Sequence, residues 1–239
     1  MRIAGEMEVL KDLEALSARA AELIADRIRG GTMPFRLALA GGSTPRGCYR
    51  HLAHLHRVPW DRVEVYLGDE RFVPHDHPES NYRMIRELLL SGPEVHPRGM
   101  FAVSGDGDAE RAAQTYEEIL RQQYGSSRLL PKQPLFDLQL LGLGEDGHTA
   151  SLLPDQPVLD ESAHWVAVVP DGRPEPRITL TYPALQSSRL TLFLVAGAAK
   201  RSALARARAG DPAIPAGRLK PEGDVIWLVD RAAAGTDAN

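Results

Sequence analysis

The chain has 239 residues, 43% hydrophobic and 25% charged, with 21 glycines and 18 prolines. That composition is of an ordinary globular protein and speaks against disorder, and the length suits one large α/β domain spanning residues 1–239. A net charge of −4 gives no attractive field for nucleic acid, so an anionic small molecule would need a local basic pocket.

Hydrophobic periodicity predicts a helix over 7–29, where Val9, Leu10, Leu13, Leu16, Leu23, Ile24 and Ile28 fall near one face and Gly30-Gly31 stop it. FRLALA (35–40) reads as a buried strand, and GGSTP turns the chain into a helix, RGCYRHLAHLH (46–56). VEVYL (63–67) is a second strand, ended by the turn GDERFVP. SNYRMIRELLL (80–90) reads as a helix capped by Ser80. A brief strand over 100–103, a helix over 108–124 and a strand at FDLQLLG (136–142) follow. HWVAVV (164–169) and RITLTY (177–182) are strand-like. LTLFLVA (190–196) is a strongly apolar strand leading into the helix AAKRSALARA (198–207). DVIWLVD (224–230) is the last strand, and the tail AAAGTDAN is expected to fray. Strands alternating with helices predict a three-layer α/β fold with a mostly parallel sheet covered on both faces.

Cys48 is the only cysteine, so no disulfide forms within the chain. The opening MRIAGEMEVLKDLE lacks the apolar region of a signal peptide. No stretch reaches the roughly 18 apolar residues of a membrane helix. The expectation is a soluble cytoplasmic protein, a monomer or small homo-oligomer, with neither a membrane nor a nucleic acid as partner.

LGLGEDGH (141–148) leaves the strand FDLQLLG with the G-x-G-x-x-G spacing of a dinucleotide loop at Gly142, Gly144 and Gly147. Pro154 follows only seven residues after Gly147, too soon for a helix that crosses a sheet. Asp146 would set a carboxylate against a pyrophosphate where bare amides are wanted. No acid ends a clear second strand about 20 residues on. The alternative is a loop that holds reactive side chains at a strand's carboxyl end. Asp146 and His148 flank Gly147, and a carboxylate beside an imidazole orients it and raises its basicity for general-base work. D-G is also ordinary turn chemistry, with His148 capping the next helix. By motif alone the two readings are balanced.

Three further constellations stand at element ends. Gly41, Gly42, Ser43 and Thr44 join a strand to a helix and offer amides and hydroxyls to a phosphate, although a plain N-cap alone accounts for them better. Asp69 and Arg71, in GDER, can move a proton and clamp a phosphate, or form a surface turn with an internal ion pair. Arg177 and Lys200 can add positive charge to the same cleft, though singly each reads as a solvated side chain. His51, His54 and His56 lie on the helix after GGSTP, and His75 and His77 in a loop. Their spacing has no matching cysteine or acid, so no metal site is expected.

Taken together, ALAGGSTP (38–45), GDERFVPHDHPESNY (68–82), LLGLGEDGHTASLLP (140–154), RITLTYPAL (177–185) and GAAK (197–200) resemble the 6-phosphogluconolactonase family in content, order and spacing. The wider superfamily also holds glucosamine-6-phosphate deaminases. The resemblance implies a Rossmann-like α/β fold that does not bind a dinucleotide. It also implies hydrolysis of 6-phospho-D-glucono-1,5-lactone to 6-phospho-D-gluconate, a step of the oxidative pentose phosphate pathway. On this resemblance His148 is the general base that activates water, Asp146 orients it, and Asp69 assists proton transfer or substrate placement. Arg71, Arg177 and Lys200 face the phosphate and the polar groups of the sugar, while Gly41, Gly42, Ser43 and Thr44 line the site. The chemistry needs no redox cofactor and no obligatory metal; the partner is a sugar-phosphate lactone.

The deaminase relatives resemble DGHIAFNEP in this loop, with a glutamate five residues after the histidine. Here that residue is Leu153, which can neither donate nor accept a proton, and this favours the lactonase. A non-catalytic sugar-phosphate sensor is the third reading; the chain has no room for a DNA-binding segment beside the one domain. Two positions depart from the family's usual pattern: Leu153 where phenylalanine precedes the final proline, and Gly217 where a small hydroxyl residue is common.

Overall fold

The computed structural model describes residues 3–236. In chain order its main elements are β1 (Glu6–Leu10), α1 (Leu13–Gly30), β2 (Phe35–Leu39), α2 (Arg46–Ala53), β3 (Val63–Leu67), β4 (Asp69–Arg71), α3 (Asn81–Ile85), β5 (Gly99–Phe101), α4 (Ala109–Tyr124) and β6 (Leu138–Gly142). They continue with β7 (Val166–Val169), β8 (Arg177–Leu180), α5 (Tyr182–Gln186), β9 (Leu190–Val195), α6 (Arg201–Arg208), β10 (Asp224–Asp230) and α7 (Arg231–Ala234).

The main sheet runs β1-β10-β9-β6-β2-β3-β5, and every neighbouring pair is parallel. Side chains alternate between its two faces, as the pleat requires. Leu37 and Leu39 of β2 join Leu16 and Ile24 of α1 and Leu52 of α2 in one apolar cluster. Ala38 between them joins Tyr116 and Leu120 of α4 in the other. Both faces are therefore covered, which gives the helix–sheet–helix layering expected of a parallel sheet. The order of the strands reverses between β2 and β6: the chain winds out one way through β3 to β5 and the other way through β9 to β10. The crevice outside the carboxyl ends of strands at such a reversal is where open α/β sheets bind ligands. GGSTP leaves β2 there, and LGLGEDGH leaves β6 beside it.

β4, β8 and β7 do not enter the main sheet; they form a small antiparallel one, in the order β4-β8-β7. Gly68 links the two. Its N–H donates to Leu39 O and its carbonyl accepts from Leu180 N–H, each at 2.9 Å. The buried Tyr116 hydroxyl secures this corner, accepting from Leu67 N–H and donating to Leu67 O, each at 2.9 Å.

Four local expectations need correction. The helix predicted from residue 7 begins only at Leu13; residues 6–10 are an edge strand paired with β10, and the Asp12 side chain caps α1 by accepting from Ala15 N–H at 2.9 Å. The helix after GGSTP stops at Ala53, so His54 is its C-cap and His56 lies beyond it; Arg57 then takes φ 60°, which no helix continues through. Residues 69–71, read as a turn, are the strand β4. The tail folds as far as α7, capped by Asp230 and closed by Gly235 at φ 73°, and residues 237–239 lie outside the described residues. The histidines at 51 and 56 each bond a separate glutamate, Glu14 and Glu94, both at 2.8 Å. Among the described residues no helix is long and apolar enough to cross a membrane.

Candidate active site

The turn after β6 closes on itself. Gly144 N–H donates to His148 O at 2.8 Å, and Gly147 N–H to Gly144 O at 3.1 Å. A Cβ on Gly144 would lie 2.1 Å from His148 Nδ1 and 2.6 Å from Asp146 Oδ1. Gly147 sits at φ +83° with Ile214 against the place a side chain would occupy. Of the three glycines in the nucleotide-like spacing, Gly144 alone makes room for the two side chains; Gly147 serves the positive φ and the contact with Ile214, and a Cβ on Gly142 would meet nothing within 4 Å. Residues 149–154 make further turns and no helix follows, so no helix N-terminus is there to receive a pyrophosphate, and His148 caps nothing.

Inside this turn Asp146 Oδ1 accepts from the His148 ring at Nδ1 (2.6 Å) and from His148 N–H (3.1 Å). Its other oxygen, Oδ2, accepts from Arg173 Nη1 at 2.8 Å. Burial by itself would raise the Asp146 carboxyl, but the Arg173 hydrogen bond and the His148 backbone and ring contacts outweigh it and hold the group down at about 2. An ionised carboxylate at Nδ1 places the ring proton there and leaves Nε2 as the acceptor.

Asp69 stands at the start of β4, only 7% exposed. Its Oδ2 accepts from Ser151 Oγ at 2.6 Å, and its backbone carbonyl accepts from Asn81 Nδ2 at 2.9 Å. Asp69 and Arg71 form no internal ion pair; Arg71 Nη1 bonds Glu79 O at 2.5 Å and Glu79 Oε2 at 3.3 Å. Glu70 between them is fully buried and braces α3. Its Oε1 accepts from Arg71 N–H (2.8 Å) and Asn81 N–H (2.7 Å), and its Oε2 from Tyr82 N–H (2.8 Å) and the Ser80 hydroxyl (3.1 Å). Burial pushes the Glu70 carboxyl up despite these four donors. Ser80 caps α3 as its position in the sequence predicts, accepting from Arg83 N–H at 3.1 Å.

α2 starts without a side-chain cap, so the hydroxyls of Ser43 and Thr44 are not spent on the helix. Gly41 packs against Asn81, whose Oδ1 would be 2.0 Å from a Cβ there. Arg177 Nε donates to Gly172 O at 2.5 Å and its Nη2 to Arg173 O at 3.3 Å. Burial lowers the pKa of this guanidinium, which still stays charged. Lys200 Nζ stands 4.0 Å from Glu145 Oε1.

These groups surround one cleft of about 350 Å³, a size that suits a small metabolite. Its wall holds Gly41, Gly42, Ser43, Thr44, Asp69, Arg71, His148, Arg177 and Lys200, and Asp146 stands behind His148. Every site candidate read from the sequence is therefore at this one place. Sequence spacing missed Asn81 and Glu145 in the wall, and Ser151, Glu70 and Arg173 just behind it. A larger hollow of about 660 Å³ lies between α4 and β7, but five carboxylates line it, among them Glu110, Glu118 and Asp160, and an anion would be repelled there. Leu153 is buried among apolar side chains, and Gly217 leaves no room for a hydroxyl, since its Cβ would fall 2.0 Å from Asp211 O.

A family model described as glucosamine-6-phosphate isomerases/6-phosphogluconolactonase matches residues 11–227. A 6-phosphogluconolactonase of Nostoc sp. is 39% identical, with 97% of each chain covered. One from Synechocystis sp. is 41% identical over 92% of this chain and 90% of its own. The fold is similar to that of the 6-phosphogluconolactonase from Trypanosoma cruzi, with a TM-score of 0.86, 29% identity, and 100% of this chain and 99% of that one covered. The chain belongs to the glucosamine-6-phosphate isomerase/6-phosphogluconolactonase family.

Proposed function

We propose that the protein hydrolyses 6-phospho-D-glucono-1,5-lactone to 6-phospho-D-gluconate. One observation carries the reading: an imidazole whose Nδ1 is tied to an ionised carboxylate faces a cleft that also holds Arg71, Arg177 and Lys200. The base and the anion-binding groups thus share one small volume. The similarity to lactonases at 39% and 41% identity over nearly the whole chain supports the same substrate.

In this reading His148 Nε2 takes a proton from water as the water oxygen bonds to the lactone carbonyl carbon. The carbonyl π electrons move onto oxygen, and the amides and hydroxyls of the Gly41–Thr44 loop stand ready to stabilise that charge. The tetrahedral species then collapses: the bond to the ring oxygen breaks, and that oxygen takes the proton from the His148 imidazolium. The product is an open-chain acid with a free hydroxyl, and its carboxyl ionises by releasing a proton to solution. Asp146 balances the transient imidazolium charge. The cations bind the phosphate far from the reacting carbon and supply binding energy for placement. Asp69, fixed by Ser151, positions a substrate hydroxyl.

The test is proton release from freshly generated lactone, measured over the spontaneous background, with the wild type and His148→Ala. Acceleration lost by roughly 10²–10⁴-fold in the variant supports both the reaction and the base. No acceleration by the wild type refutes the reading and directs attention to ammonia release from glucosamine 6-phosphate.

A further inference from the structure

We propose that Arg173 is a positioning residue for this hydrolysis: it locks Asp146 in place and, through it, holds the His148 ring in its working orientation. The inference rests on the hydrolase reading above, and it concerns a side chain that is not part of the cleft wall. Arg173 sits on the loop between β7 and β8 at φ 63°, a conformation that residues other than glycine rarely adopt. Its guanidinium spans from this loop to the turn after β6 and takes the one Asp146 oxygen that the histidine leaves unused. The loop is itself anchored to the cleft, because Arg177 bonds the carbonyls of both Gly172 and Arg173. Gly172 has no space for a side chain; a Cβ would lie 2.1 Å from Glu175 O and 2.6 Å from Arg177 Cγ. A half-buried cleft cation thus holds the loop, and the loop holds the carboxylate that orients His148.

Two effects follow. With both oxygens engaged, Asp146 cannot rotate away from Nδ1. The Arg173 charge also offsets that of Asp146, so removing it strengthens the hold of the carboxylate on the ring proton at Nδ1. The other charged groups around the site are Glu145 on the same turn, Lys200 after β9, Asp69 and Arg71 on β4, and Glu175 and Arg177 near β8. Asp146 is the one hydrogen-bonded to the ring. Arg173 is 57% exposed, so as a mere surface ion pair it would contribute almost nothing to stability or turnover. The two roles therefore differ in what they predict.

Arg173→Ala, Arg173→Gln and Arg173→Lys would be compared in two measurements. One is kcat and KM for the lactone against pH. The other is the ring-proton NMR titration of His148 without substrate, assigned with His148→Gln. In Arg173→Ala, kcat falls about 3- to 10-fold while KM stays within about twofold. The acid limb and the His148 midpoint both move to higher pH. Lysine restores most of the rate and the midpoint; glutamine does not restore the midpoint. An unchanged rate and midpoint in Arg173→Ala overturns the proposal, as does a raised KM with unchanged kcat, which would make Arg173 a substrate contact. If the wild type does not turn over the lactone, the hydrolase reading fails, and the substrate-free titration still decides whether Arg173 acts on His148.

Discussion

Ser151 donates a 2.6 Å hydrogen bond to Asp69 across 82 residues of sequence. It ties the segment after β6 to the strand that leaves the main sheet at Gly68. Both side chains are buried, and Ser151 N–H is itself held by Thr179 Oγ1 of β8 at 3.2 Å. Ser151→Ala leaves a buried carboxylate oxygen without its donor, which costs about 1–3 kcal/mol in urea unfolding. Substrate placement suffers with it, so KM rises. A variant as stable as the wild type would show that Asp69 needs no support from Ser151.

Gly144→Ala tests whether the glycine spacing serves the His–Asp pair. The added methyl would fall 2.1 Å from His148 Nδ1, so imidazole and carboxylate must separate. The expected loss in kcat is about 10²-fold, with KM little changed. Wild-type kcat would mean that the turn can relax without moving the pair.

Asp146→Asn keeps the shape and removes the charge, and kcat falls while the fold persists. It also has a signature in stability. The Asp146 carboxyl lies at about 2 in the folded protein, below its ordinary value of 3.8. A depressed carboxyl contributes stability that is fully present above the unfolded value and is lost as pH falls towards the folded one. The stability difference between the wild type and Asp146→Asn therefore shrinks between about pH 4 and pH 2, which denaturant unfolding across that range measures. A difference independent of pH there would contradict the depressed value.

On the proposed function, a cation that clamps the phosphate acts alike on bound substrate and transition state, so Arg71→Ala and Lys200→Ala are each expected to raise KM more than they lower kcat. Steady-state kinetics with the lactone separates the two constants. A lowered kcat with KM intact would instead place the residue at the reacting carbon.

Glu70→Gln puts an amide N–H₂ where a carboxylate oxygen accepts from backbone N–H groups. One donor is then left facing another, at a cost of about 1–3 kcal/mol in unfolding free energy. Activity falls as well, since Asn81 and the Gly41 loop rest on this brace. Unaltered stability would show that Glu70 is already protonated in the folded protein.

The sequence makes legible what is local. Asp146 and His148 are two residues apart, so their meeting follows from one turn, and the strand-ending loops announce themselves through glycine and proline. The alternation of elements likewise points to the parallel sheet. What depends on distant pairing is not legible. Nothing near Asp69 signals Ser151, and nothing near Asp146 signals Arg173, which sits in a proline-rich loop that reads as a plain connection. β1 is hidden for another reason: Val9 and Leu10 continue the apolar stripe of α1, and only the cap at Asp12 marks the break. β4 is masked by its charges, which read as a turn until Glu70 is seen to be fully buried.

The turn that carries Asp146 and His148 is closed by its own backbone bonds, Gly144 to His148 and Gly147 to Gly144. Asp69 and Arg71, by contrast, depend on a three-stranded sheet assembled from segments about a hundred residues apart. Yet Arg173 belongs to the loop that joins β7 to β8, so the turn is tied to that same sheet through Asp146 Oδ2, and loosening the sheet disturbs both walls of the cleft together. A ligand that spans the cleft therefore stabilises the turn and the small sheet as one unit, in proportion to its saturation.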